Sequence, residues 1–144
     1  MGLERSLFHG TCADALELIA KHGFDRSYSG QKATLYGHGT YFARDIRYSA
    51  QDQYSAPGAA IPLLQTDGRQ TSRQSNRSEF KYIFRAKVLV GRVCIGKSDM
   101  RHLPTAPGDA APDCAVDNES APDMFIIFKD AQAYPEYLLV LVKP

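Results

Sequence analysis

From residue 80 to residue 90 apolar side chains recur at every second position. Phe80, Tyr82, Phe84, Ala86, Val88 and Val90 alternate with Lys81, Arg85 and Lys87. Successive side chains of a strand point to opposite faces, so this spacing predicts a strand packed on one face. Gly91 permits a bulge or turn before Val93 and Ile95. Met124 to Phe128 is nearly continuously apolar, as expected of a strand buried on both faces. Tyr137 to Val142, after a turn expected at Pro135, reads as another strand. Near the start, Leu3 to Phe8 reads as a short strand delivering His9-Gly10, and Gly39 to Ala43 as a brief extended piece.

Helical spacing is scarcer. Leu16, Ile19 and Ala20 fall at i, i+3 and i+4, so Asp14 to Lys21 predicts one short helix. Thr11 or Asp14 suits its start, and Gly23 the positive-φ position after its end. Asp45 is placed to cap a second helix running toward Tyr54. Asp25 to Gly39, with Gly30, Gly37 and Gly39, reads as a loop, as does Gly96 to Pro112. Ser55 to Ser78, rich in Ser, Gln, Gly and Arg, reads as a long flexible surface loop. Strands with two helices near the front make an α+β domain; without βαβ alternation a doubly wound sheet is not expected.

The 144 residues suit one domain with a real core, and 44% hydrophobic with 23% charged residues is a soluble, globular composition. Lys and Arg total 17 against 16 for Asp and Glu, a net charge of +1. That balance gives no general attraction to nucleic acid or anionic membrane. No apolar run reaches the ~20 residues that span a bilayer, and Glu4 and Arg5 break any secretory signal. Cys12, Cys94 and Cys114 show no metal-ligand spacing, so no metal is expected. An odd number of cysteines points to a reducing, intracellular compartment, cytoplasmic or nuclear. A monomer is expected. Phosphate loops, nucleophile elbows and H-E-x-x-H motifs are missing, which removes the common hydrolase and nucleoside-triphosphate readings.

Four pieces stand in a particular order: Leu7-Phe8-His9-Gly10-Thr11; Gly37-His38-Gly39-Thr40-Tyr41-Phe42-Ala43; Tyr48-Ser49-Ala50 with Tyr54; and Met124 to Asp130 followed by Gln132-Ala133-Tyr134-Pro135-Glu136-Tyr137-Leu138. Together they resemble the catalytic domain of the poly(ADP-ribose) polymerase family, most of all its mono-ADP-ribosyltransferase branch. The resemblance runs from Leu7 to Leu141, apart from an insert at Ala56 to Ser78. It implies a split, largely antiparallel sheet with a few short helices and a central NAD+ cleft. Residues 1–144 would be a single minimal catalytic domain. NAD+ would be a co-substrate, and the acceptor a protein, this chain itself included.

The resemblance also implies roles. His9 would hydrogen-bond a ribose hydroxyl, since each imidazole nitrogen serves as donor or acceptor. Gly10 would offer its backbone to the nicotinamide carboxamide, which approaches closely because no Cβ intervenes. Ser49 would supply a second bond to that amide, and Thr11 stands beside them in the motif. Tyr41 and Tyr54 would wall the cationic pyridinium ring, with Tyr48 lining the same pocket. Arg26 resembles an arginine that meets the adenosine or diphosphate side. Taken singly, each has a plain structural reading: a turn glycine, a core tyrosine, a solvated arginine.

One position departs from the polymerising members. Counting back from Asp130, their third catalytic residue, a glutamate, falls at Met124, and His9, Tyr41 and Met124 stand at the three catalytic positions. A thioether neither polarises an acceptor hydroxyl nor opposes a developing cation. Asp123 and Glu136 flank the strand without entering it. A single transfer to an acceptor that brings its own nucleophilic oxygen is therefore expected, protein side chains first. Two other readings remain open: a catalytically silent NAD+ or ADP-ribose binding module, and modification of nucleic-acid ends met by Arg69, Arg73 and Arg77.

Overall fold

The computed structural model describes residues 2–28, 34–58 and 79–143. Seven strands, β1 (Glu4–Thr11), β2 (Thr40–Ala43), β3 (Glu79–Leu89), β4 (Val93–Ile95), β5 (Cys114–Val116), β6 (Met124–Ile127) and β7 (Ala133–Lys143), form one sheet in the order β4-β5-β6-β2-β1-β3-β7. Every neighbouring pair is antiparallel except β4 and β5. Among the described residues two helices, α1 (Ala13–His22) and α2 (Ile46–Ser49), accompany it, with single 3₁₀ turns at Arg26–Tyr28, Gly108–Ala110 and Asp130–Gln132.

The sheet has a seam. β1 pairs with β3 along its whole length, from Glu4↔Leu89 to Thr11↔Tyr82. Across β1 and β2 the only register pair is Phe8↔Ala43. Beyond it His9, Gly10 and Thr11 diverge from Phe42, Tyr41 and Thr40, which splits the sheet into two halves joined at one rung. The same rung continues into Ala43↔Met124, so Phe8, Ala43 and Met124 lie in line across the sheet.

Alternation sorts the core into two clusters. Leu7, Phe42, Phe84, Val88, Phe125 and Ile127 pack with Leu16 of α1 and with Phe24. Ala43, Met124, Ile126 and Phe128 form the second, with Tyr36, Tyr41 and Tyr48 against it. Leu16 is fully buried, worth about 1.5–3 kcal/mol for such a side chain, and is the anchor of α1.

Several local expectations shift. The residue before α1 is Cys12, with no side-chain cap, so neither Thr11 nor Asp14 caps it. Thr11 already belongs to β1, and Asp14 sits in the first turn, where a carboxylate still favours the helix dipole. Gly23 does end the helix at φ 79°, donating its N–H to Ile19 at 2.8 Å. Of the apolar stripe Ala20 is exposed. Asp45 caps α2 as expected, accepting from the Arg47 N–H, but α2 stops at Ser49 instead of reaching Tyr54.

Pro135 lies inside β7, not in a turn. Register shifts there, Arg85↔Tyr137 being followed by Ala86↔Pro135, which leaves Glu136 as the extra residue of a bulge. Proline lacks the N–H a central strand would need, and β7 is an edge strand. β5 was not expected at all. Of the long loop, residues 59–78 lie outside the described residues, and Arg69, Arg73 and Arg77 with them.

Candidate active site

His9 sits where β1 and β2 part. Its Nδ1 lies 2.7 Å from the Tyr41 carbonyl oxygen. A carbonyl only accepts, so Nδ1 carries the proton and, in the neutral ring, Nε2 carries the lone pair. The imidazole thus bridges the seam in place of backbone pairing. Phe24 meets the ring edge-on at 5.1 Å and Phe42 lies at 5.5 Å, tilted. These contacts fix the ring's direction.

Tyr41 reaches the other way. Its hydroxyl donates to the Gly37 carbonyl (2.7 Å) and accepts from the Tyr36 N–H (2.9 Å), closing the loop before β2. Its ring packs against the cluster containing Met124. Burial raises its pKa above the ordinary phenol value, so it stays a neutral hydroxyl.

Gly10 explains itself by crowding. A Cβ there would fall well inside contact distance of the Ser49 carbonyl oxygen and 3.1 Å from that of Tyr54. The segment from Ser49 to Tyr54 therefore lies directly on the Gly10 backbone. Ser49, buried at the end of α2, donates its hydroxyl hydrogen to the Phe8 carbonyl at 3.1 Å. That commits its hydrogen and leaves its oxygen as an acceptor. The rings of Tyr48 and Tyr54 stack at 5.0 Å and 22°, with their hydroxyls 2.9 Å apart. Burial first, and the Tyr54 hydroxyl second, push the Tyr48 pKa well up.

His9, Gly10, Tyr41, Ser49, Tyr48 and Tyr54 are thus tied by contacts or hydrogen bonds running through the seam. Met124 joins them through the second cluster and is 5% exposed. The flanking acids are engaged elsewhere: Asp123 is ion-paired with Arg44. Asp117 accepts the backbone N–H groups of both Asp123 and Met124 at 3.0 Å, which starts β6. Glu136 pairs with Lys87 at 3.6 Å on β7.

Two predicted residues stand apart. Thr11 is buried, with its hydroxyl donating to the Cys12 carbonyl at 3.4 Å, so its side chain faces inward. Arg26 lies at the far end of β6, its N–H donating to Asp130 and its guanidinium to the Arg101 carbonyl. It borders an open groove of about 430 Å³ with His102, Leu103, Phe128 and Lys129. A second groove, of about 520 Å³, runs by Gly91, Arg92 and Cys94. Neither touches the seam. Among the described residues no group of three or more His, Cys, Asp or Glu is placed to hold a metal.

Sequence reasoning missed Phe24, Tyr36 and the Gly37 carbonyl. The first orients His9 and the others hold Tyr41, through contacts that no local pattern announces.

Comparison with known proteins adds the following. Residues 2–110 match the family model described as Poly(ADP-ribose) polymerase catalytic domain. The chain is 38% identical to Protein mono-ADP-ribosyltransferase PARP14 of Homo sapiens, over 97% of this chain and 7% of that protein. It is 34% identical to Protein mono-ADP-ribosyltransferase PARP10 of Mus musculus, over 95% of this chain and 13% of the relative. For Protein mono-ADP-ribosyltransferase PARP11 of Homo sapiens the figures are 33%, 94% and 40%. The chain spans less than half the length of each of these relatives.

Proposed function

This chain belongs to the poly(ADP-ribose) polymerase catalytic-domain family, and on that footing we propose that it cleaves NAD+ and passes a single ADP-ribose to an acceptor. The observation that carries the reading is the seam itself. His9 is locked by the Tyr41 carbonyl, and the Ser49–Tyr54 segment lies on Gly10.

The chemistry follows from these atoms. The Nε2 lone pair of His9 accepts the proton of a ribose hydroxyl and holds the sugar. Gly10 offers backbone groups to the carboxamide, and the Ser49 oxygen, its hydrogen turned to Phe8, accepts an amide N–H. Tyr54 presents a π face to the cationic pyridinium, worth about 2 kcal/mol when desolvated. The bond from ribose to the nicotinamide nitrogen breaks with its electron pair going to nicotinamide. The sugar passes through a cation-like state, as in glycoside hydrolysis. An acceptor oxygen then forms the new bond to the same carbon.

At Met124 a buried thioether stands where a carboxylate would activate a neutral hydroxyl. An acceptor side-chain carboxylate brings its own charge and needs no such help; a further ribose hydroxyl does. Protein carboxylates therefore suit this site better than chain elongation. Modification of nucleic-acid ends rested on Arg69, Arg73 and Arg77, outside the described residues, and gains no support.

The test is melting temperature with NAD+ alongside nicotinamide release. Stabilisation with release supports transfer. Stabilisation without release, at any acceptor offered, points to the silent module, and neither effect would sink the NAD+ reading.

A further inference from the structure

The segment that carries Ser49, Tyr48 and Tyr54 is tied to the sheet through side chains: Ser49 donates to the Phe8 carbonyl at 3.1 Å, and just past Tyr54 the buried Ser55 donates to the Tyr82 carbonyl at 3.4 Å. α2 is four residues long, far too short to be stable by itself. Past it the backbone turns on three local bonds: Gln51 N–H to Tyr48, Tyr54 N–H to Gln51 and Ser55 N–H to Gln51, at 2.9–3.2 Å. The carbonyl groups at the end of such a helix lack intrahelical partners.

One side chain reaches them from another element. Lys81, on β3, donates from Nζ to the Ala50 carbonyl at 2.6 Å and also to the Asp52 carboxylate. On β3 it stands two residues before Ile83, the register partner of Gly10. Alternation therefore puts Lys81 on the face where Gly10 receives the Ser49–Tyr54 segment. Its side chain is 18% exposed, whereas that of Asp52 is 77% exposed.

We propose that Lys81 is a positioning residue for this site: by holding Ala50 and Asp52 it sets where Ser49 and Tyr54 stand relative to Gly10, and so governs recognition of the nicotinamide end of NAD+. This rests on the seam being the NAD+ site, as proposed above.

Burial and geometry decide which of its two bonds matters more. An ion pair to an exposed carboxylate contributes little. The Ala50 bond joins the ammonium of a largely buried side chain to a helix-end carbonyl, where a cation is favoured. The tolerance is small because Gly10 and Ser49 already lie closer than any Cβ allows. A shift of the segment by a few tenths of an ångström separates the Ser49 oxygen and the Gly10 backbone from a shared amide.

The residue acts through others, so its test separates the two ends of the ligand. Benzamide carries the carboxamide on a ring but no ribose; ADP-ribose carries the remainder without nicotinamide. In the full chain, Lys81→Met keeps the apolar stem and removes the ammonium. Its Kd for benzamide is expected to rise about tenfold, the usual effect of losing a hydrogen bond to a charged group, while its Kd for ADP-ribose stays within about twofold. Lys81→Arg, which keeps a cation and donors, is expected to recover most of the loss. Asp52→Asn is expected to change little. Equal weakening for both ligands, or an unchanged benzamide Kd in Lys81→Met, overturns the inference while leaving the site reading intact. A wild-type chain that binds ADP-ribose but not benzamide overturns the nicotinamide assignment, and this inference with it.

Discussion

The imidazole of His9 takes the place of a missing backbone pair and is also the group proposed to hold the ribose. His9→Ala should therefore cost stability and function together. The Tyr41 carbonyl loses a half-buried partner, about 1–3 kcal/mol of unfolding free energy, readable by urea titration. Nicotinamide release should fall at least about 100-fold, the scale for losing one oriented polar group in an active site. Full activity in a folded His9→Ala chain would remove the residue from the mechanism. Gly10→Ala makes the complementary case. The added methyl meets the Ser49 carbonyl, a backbone atom that yields only if the whole segment moves. NAD+ affinity should drop at least about tenfold, with overpacking costing about 1–3 kcal/mol of stability. Calorimetric binding of NAD+ at wild-type strength would show that the segment moves freely. At this scale the motif residues were legible, because short motifs in order name their members. Their partners were not: Ser49 to Phe8 spans 41 residues and Lys81 to Ala50 spans 31.

Strands and helices show why some elements were readable. β3 is long, with one face apolar throughout and the other carrying Lys81, Arg85 and Lys87 around a buried Ile83, so its period is plain. β6 is buried throughout, and an unbroken apolar run marked it. β5 has three residues, Cys114, Ala115 and Val116, all fully buried. So short a run has no period to read, and it becomes a strand only because β4 and β6 flank it. Pro135 looked like a turn because proline usually ends a strand; an edge position and a bulge let it stay. α2 depends on its cap. Arg47 holds the Asp45 carboxyl down to a pKa of about 2 through hydrogen bonds and charge. A depressed folded-state pKa means that the cap's contribution is complete above the unfolded value near 3.8 and is lost as pH falls through about 2. Asp45→Ala should remove it at every pH and loosen the Tyr48–Tyr54 stack. Benzamide affinity near neutral pH should fall in Asp45→Ala and hold in Asp45→Asn, which can still cap; equal affinity in wild type and Asp45→Ala would show that the cap has no bearing on the site.

Among the described residues the sheet has two halves that share one register rung, Phe8↔Ala43, and one of the two core clusters, with the site where their backbones part. Buried titratable groups also set an alkaline limit. Burial, foremost, pushes the Cys114 thiol up to about 12 and raises Tyr41 and Tyr48. Groups kept neutral by the fold stabilise it fully below their unfolded pKa values and lose that contribution as pH rises through the folded ones. Melting temperature should hold to about pH 9 and then decline steadily toward pH 12 for the thiol. A flat profile across that window would mean that these groups ionise without unfolding. The split architecture was foreseen through the family resemblance, because composition and periodicity gave only α+β. Where the halves join came from the single Phe8↔Ala43 register, a tertiary fact with no local signature.

The most direct test of the central claim is intact-mass spectrometry of this chain after incubation with NAD+, beside His9→Ala and Tyr41→Ala. The account predicts discrete additions of single ADP-ribose units on the unsubstituted chain and none on either variant. Long ladders of repeated units, or the same additions on both variants, would contradict it.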